Sequence, residues 1–197
     1  GKTPITLSIK TTAEKLKEMG ERQGIELLPL SGIIEQLRVI KDENEIAVIR
    51  RSVELNEQVF QEIFTSLDDA ATEVDVALEI ATRMRKKGAE RESFETIIAA
   101  GAASSLPHAV PGPGKLVNNG PLLIDMGLIL DGYCSDMSRT VVVGPAEPPF
   151  EQVYQTVRDA QRSATDAIRA GRSAREVDRI ARGLIDQKGY AGKFGHG

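Results

Sequence analysis

Two apolar runs, Leu122 to Leu130 and Tyr133 onward, flank the dipeptide Asp131-Gly132. Asp-Gly between strand-like runs favours a tight β-hairpin turn, because both residues tolerate positive φ. A two-residue turn fixes the register: Leu130 faces Tyr133, and Gly127 faces Asp136. Side chains alternate with period two, so Asp125 shares the face of Gly127. Asp125 and Asp136 then become diagonal neighbours, about 7–8 Å apart along their backbones. A three-residue turn would reverse the parity and place the carboxylates on opposite faces.

Two readings of this pair stand open. In the first, Asp125 and Asp136 are metal ligands. Like charges at that range repel, and desolvating each ion is costly, so a bound cation removes both penalties. Gly127, opposite Asp136, is expected to leave space above the sheet. In the second, the aspartates serve their own turn, as aspartates near hairpins commonly do. That reading suits Asp131. It suits Asp125 poorly, because Leu122, Leu123, Ile124 and Met126 surround it with strand pattern.

Composition narrows the function. The net charge is −4 with no basic stripe, which argues against a nucleic-acid partner. No apolar run approaches ~18 residues, so no membrane span is expected. The N-terminus, Gly1-Lys2-Thr3-Pro4, has no signal-peptide pattern and no initiator Met, and a processed or partial chain is expected. With one cysteine, Cys134, no internal disulfide can form, and a reducing, cytoplasmic setting is the simplest expectation. Cys134 itself reads as a small buried packing residue.

Residues 1–38 read as short elements with turns near Gly20, Gly24 and Gly32, and Leu27-Leu28-Pro29-Leu30 as the end of a strand. Asp42 and Glu45 mark a helix start with capping-box spacing, followed by the apolar stripe Ile46, Ile49, Val53, Phe60 and Ile63. A second helix is expected from Thr72, with Asp75 at capping-box distance, to Lys87-Gly88. Phe94 to Ala100 reads as a strand, followed by a Gly/Ser/Pro-rich loop through Gly114. The hairpin covers roughly 121–143, and Pro148-Pro149 breaks the chain. A third helix carries Val153, Val157, Ala160, Ala164 and Ile168 and closes at Gly171. A fourth carries Val177, Ile180 and Leu184 and stops at Lys188-Gly189. Glu73-Val74-Asp75 recurs as Glu176-Val177-Asp178, and Lys87-Gly88 as Lys188-Gly189. This weak repeat points to an α/β (α+β) domain of two related halves.

The chain has two histidines. His108 lies between Pro107 and Pro111, in a loop the prolines stiffen. It is either a surface residue or an imidazole held over a site, where it could steer a carbonyl or leaving group. His196, between Gly195 and Gly197, is either part of a flexible terminus or a residue of close backbone approach.

From Leu37 to Gly197 the chain resembles the pita-bread metallopeptidases: Xaa-Pro aminopeptidase, prolidase, methionine aminopeptidase and the related creatinase. The resemblance rests on Leu37 to Ile46, Ser93 to Gly101, Leu106-Pro107-His108, Asp125-Met126-Gly127 and Gly132 to Thr140. Ser138 stands where that family usually has threonine, and Gly120-Pro121 replaces the usual Gly-Asp. The resemblance implies an antiparallel sheet covered by helices in a pseudo-two-fold, with Asp125 and Asp136 as metal ligands. It implies His108 as a catalytic and substrate-binding histidine, and His196 as substrate-binding. Residues 1–36 then correspond to the tail of an N-terminal creatinase-like domain and its linker. Residues 37–197 correspond to a catalytic domain incomplete at its C-terminal end, without the final strands and the remaining ligands.

The resemblance further implies hydrolysis of the peptide bond before proline by an aminopeptidase or dipeptidase. Its cofactor would be two divalent metal ions. Oxygen-rich ligation with one imidazole favours manganese, with cobalt or zinc as alternatives. The expected partners are a peptide substrate and a second copy of the chain in a homodimer. Methionine aminopeptidase and creatinase-type hydrolysis are the nearest rivals. A non-catalytic peptide-binding module on the same fold is the rival of another class.

Overall fold

The computed structural model describes residues 4–26, 31–68, 70–116 and 120–195. The expected strand end at Leu27–Leu30, and His196, lie outside them. The chain divides into two compact units, Gly1–Glu43 and Asn44–Gly197.

The first unit carries helices α1 (Pro4–Arg22) and α2 (Ile33–Val39). The turn expected at Gly20 is absent, because Gly20 lies within α1. The helix ends instead at Gly24, whose φ is 67°. There the Ile25 N–H donates to the Gly20 carbonyl (2.9 Å) and the Gly24 N–H to that of Glu21 (3.3 Å), the paired bonds of a Schellman cap. Gly32, also left-handed, precedes α2.

The second unit begins with α3 (Glu43–Thr65) and α4 (Glu73–Lys86). Thr72 caps α4 as expected: its hydroxyl accepts from the Asp75 N–H, and the Asp75 carboxylate accepts from the Thr72 N–H. Among the described residues six strands follow: β1 (Arg91–Glu92), β2 (Ile97–Ala100), β3 (Gly120–Met126), β4 (Leu128–Leu130), β5 (Tyr133–Cys134) and β6 (Met137–Val143). The hairpin turn is Asp131-Gly132, with φ of 48° and 79°, as a type I′ turn requires.

Leu130 pairs with Tyr133, and Met126 with Met137. The expected register therefore holds along the hairpin. The hairpin does not form one flat ladder, however. At Gly127 it passes from a sheet ordered β2-β3-β6 to one ordered β1-β4-β5.

Leu122, Ile124 and Met126 on β3 are buried with Ile98 on β2 against Val59, Phe60 and Ile63 of α3 and Val76, Ile80 and Met84 of α4. The buried side of α3 differs from the expected stripe. Ile46 and Val53 are about half exposed, whereas Ser52 and Asn56 are buried. These two polar residues continue the helical face of Val59, Phe60 and Ile63. They are buried because they hydrogen-bond main-chain carbonyls of the hairpin.

Helix α5 (Pro148–Asp166) follows, with the prolines at its first positions. The expected third helix thus includes Pro148-Pro149 in its first turn; proline fits there because the missing N–H would be unpaired anyway. The helix ends before Gly171, leaving Ile168 outside it. Helix α6 (Ala174–Ile185) has a capping box of Ser173 and Glu176. Ser173 lies 101 positions after Thr72, and left-handed Gly189 lies 101 after left-handed Gly88. The repeat is therefore real at the caps. Glu73-Val74-Asp75 and Glu176-Val177-Asp178 are two positions out of that alignment, and their match is coincidental.

Candidate metal centre

Alternation along β3 separates two faces. Leu122, Ile124 and Met126 point into the helical core, so Asp125 points to the other side, where it is half-buried. Cross-strand pairing places Ile97 on one side of Asp125 and Ser138 on the other, all on one face. The Ser138 hydroxyl donates to Asp125 Oδ1 at 2.7 Å. Continuing the register by one step from Met126 and Met137 sets Asp136 opposite Gly127, on the face of Ser138 and Asp125. Asp136 is exposed, but its surroundings matter. Partial desolvation first, and the charge of Asp125 second, hold its carboxyl above the ordinary aspartate range. The two carboxylates thus share a face and interact.

The space expected above Gly127 is filled. A Cβ there would lie 2.2 Å from both the Ser135 carbonyl oxygen and Ser93 Oγ, and 2.7 Å from the Phe94 ring. Gly127 serves close packing at the bend between the two sheets. Cys134, expected to be buried, is exposed and free, because β5 is an edge strand with few neighbours.

Helix α3 holds the bend. Asn56 Nδ2 donates to the Met126 carbonyl at 3.1 Å. Ser52 Oγ reaches the carbonyls of Leu128 (3.4 Å) and Tyr133 (3.2 Å). Helix α3 thus supplies side-chain donors to hairpin carbonyls at the bend, that of Leu128 also accepting from the Ser135 N–H (2.8 Å). Sequence reading missed both residues. Their spacing with Val59, Phe60 and Ile63 on one helical face was the available sign.

His108 lies in an exposed turn, after a short 3-10 helix (Gly101–Ser105) that leaves the Ala100 end of β2. Ala100 pairs with Leu122, and Ile97 with Asp125. The loop therefore leaves the sheet about 10 Å of strand from the aspartate. Among the described residues, no third His, Cys, Asp or Glu joins Asp125 and Asp136 in a group able to hold a metal. The pair nevertheless fits a divalent cation in its chemistry: two hard oxygen donors on one face, with mutual repulsion that a cation would relieve.

Residues 47–197 match the family model of metallopeptidase family M24, and the chain belongs to that family. It is 38% identical over 172 residues to the uncharacterized peptidase YqhT of Bacillus subtilis, covering 87% of this chain and 48% of that protein. It is 32% identical over 182 residues to the Xaa-Pro dipeptidase of Pyrococcus horikoshii, covering 92% of this chain and 52% of the relative. The solved Xaa-Pro dipeptidase from Bacillus anthracis superposes with a TM-score of 0.85 at 35% identity, over 87% of this chain and 48% of that one. The fold is the pita-bread fold of these proteins. The chain spans about half the length of the curated relatives it matches.

Proposed function

We propose that the native protein is a metal-dependent Xaa-Pro peptidase, and that Asp125 and Asp136 are two of its metal ligands. The observation that carries this reading is the aspartate pair on the open face of the sheet, with Ser138 bonded to Asp125. Family membership supports it, as do relatives named Xaa-Pro dipeptidase and prolidase. On the same reading, residues 1–36 end a smaller N-terminal domain, and residues 37–197 belong to the catalytic domain.

When bound, two divalent cations, with manganese favoured, supply an acidified water and polarise the scissile carbonyl. The chain's own residues prepare that chemistry. Ser138 orients the Asp125 carboxylate, and the bend held by Ser52 and Asn56 keeps both aspartates on one face. His108, on its loop, is assigned to orienting the substrate and its developing charge, and His196 to the substrate side. A proline at the second substrate position has no amide N–H, so the site need supply no acceptor there. Among the described residues no helix is long and apolar enough to cross a membrane. A cytoplasmic homodimer is the proposed setting.

The test compares Xaa-Pro and Met-Ala peptides with the native protein under manganese. Faster cleavage of the proline peptides is expected. Faster release of methionine would assign the protein to the methionine aminopeptidase branch.

A further inference from the structure

We infer that Glu73, the first residue of α4, is a positioning residue for the loop that carries His108. Its carboxylate spans the two ends of that loop. Oε1 accepts from the Ala100 N–H at 2.7 Å, where the chain leaves β2. Oε2 accepts from the Gly112 N–H at 2.9 Å, where the loop returns. One side chain thus closes residues 101–111 into a fixed span, with Pro107 and His108 at the turn between.

Each end also has an anchor besides Glu73, Ala100 through its pairing with Leu122. The returning segment has further ties: the Glu73 N–H donates to the Gly114 carbonyl (3.1 Å), the Val74 N–H to that of Gly112 (3.3 Å), and the Leu116 N–H to that of Ala71 (3.1 Å). The first two of these bonds also satisfy donors of the first turn of α4 that no helical carbonyl can reach. At the departing end, Ala100 closes β2 and is nearly buried, and its N–H is held by the carboxylate. Loss of Glu73 would remove the link it makes between the two ends. The span between them, with His108 at its turn, would lose that constraint. Both carboxylate oxygens are used, so glutamine, with one acceptor oxygen, can keep one tie and not both.

This inference rests on the assignment of His108 to the substrate side, and its test separates the two. Glu73→Ala, Glu73→Gln, His108→Ala and the double variant Glu73→Ala/His108→Ala are made in the native protein. Measurements are kcat and KM on a Xaa-Pro dipeptide, bound metal per chain, thermal unfolding, and amide exchange over residues 100–112. Glu73→Ala is expected to lower kcat/KM on the order of 10- to 100-fold, the usual effect of misplacing a positioned group. Metal content stays unchanged, Glu73→Gln falls between, and exchange at Ala100 and the loop rises. In the His108→Ala background, Glu73→Ala should cost almost nothing more, because it acts through the histidine. Equal losses in both backgrounds, an unchanged kcat/KM, or a loss of bound metal would overturn the inference. If His108→Ala by itself leaves kcat/KM unchanged, the assignment of His108 fails first, and the role of Glu73 falls with it.

Discussion

Ser138 stands directly across the β3–β6 pair from Asp125 and donates a 2.7 Å hydrogen bond to its Oδ1. The bond points one carboxylate oxygen along the strand pair and leaves Oδ2 to other partners. It fixes the orientation of a carboxylate proposed to hold a cation. It also fits the serine that stands where the family resemblance would set threonine: the hydroxyl is the part that matters.

Ser138→Ala in the native protein should weaken divalent-metal binding about 10-fold, the usual cost of removing a partner that orients a ligand. Ser138→Thr should stay close to the parent. Calorimetric titration of the metal-free protein with manganese checks both. Equal affinity for the alanine variant would remove Ser138 from the site.

Asp125→Asn and Asp136→Asn should each strip most of the bound metal and abolish hydrolysis while leaving the fold intact. In chelator, Asp136→Asn should unfold no earlier than the parent, because it removes a carboxylate held near a like charge. Metal content by mass spectrometry, paired with thermal unfolding, decides this. Full metal content in either variant would show that the aspartates are not ligands.

Gly127→Ala should destabilise the protein by about 1–3 kcal/mol, the range for overpacking. The new methyl would lie 2.2 Å from both Ser93 Oγ and the Ser135 carbonyl oxygen. The serine side chain can rotate away; the carbonyl belongs to the hairpin backbone and cannot move without bending it. Urea unfolding of parent and variant measures the loss, and an unchanged midpoint would mean that the bend adapts freely.

Acid should loosen the starts of α4 and α6 before their centres. The Asp75 carboxyl is held below its ordinary value, first by the Thr72 hydroxyl and then by the Thr72 N–H. That of Glu176 is held down by the Ser173 N–H and hydroxyl. A lowered folded pKa means that the stabilisation is full above the unfolded values, about 3.9 for Asp and 4.3 for Glu. It is lost as pH falls through the lowered folded values. Amide exchange in the first turns should therefore rise below about pH 4, and Asp75→Asn should flatten that response for α4. A parent profile that is flat with pH would exclude the capping carboxylates as its source.

The chain's local chemistry carried much of this structure openly. Asp131-Gly132 has one inexpensive backbone arrangement, so it set the turn, and the turn set which residues face which along the whole hairpin. Asp125 and Asp136 share a face for that reason alone. Thr72 with Asp75, likewise, closes a helix within four residues of chain. Other features depended on what arrives from elsewhere in the sequence. Ser52 and Asn56 are buried only because the hairpin bends beneath α3 and presents main-chain carbonyls to which they donate. Gly127 is required because Ser93 and Phe94 pack against it, and the same glycine read in isolation suggests open space. Cys134 is exposed because its strand lies at an edge, which no residue near it could reveal. Glu73 reads locally as an ordinary acidic residue in a helix's first turn; that its two oxygens join Ala100 to Gly112 is a property of the folded chain. Backbone dihedral preference acts over a few residues and is written in them. Burial and hydrogen-bond completion act across the fold, and tertiary packing decided them.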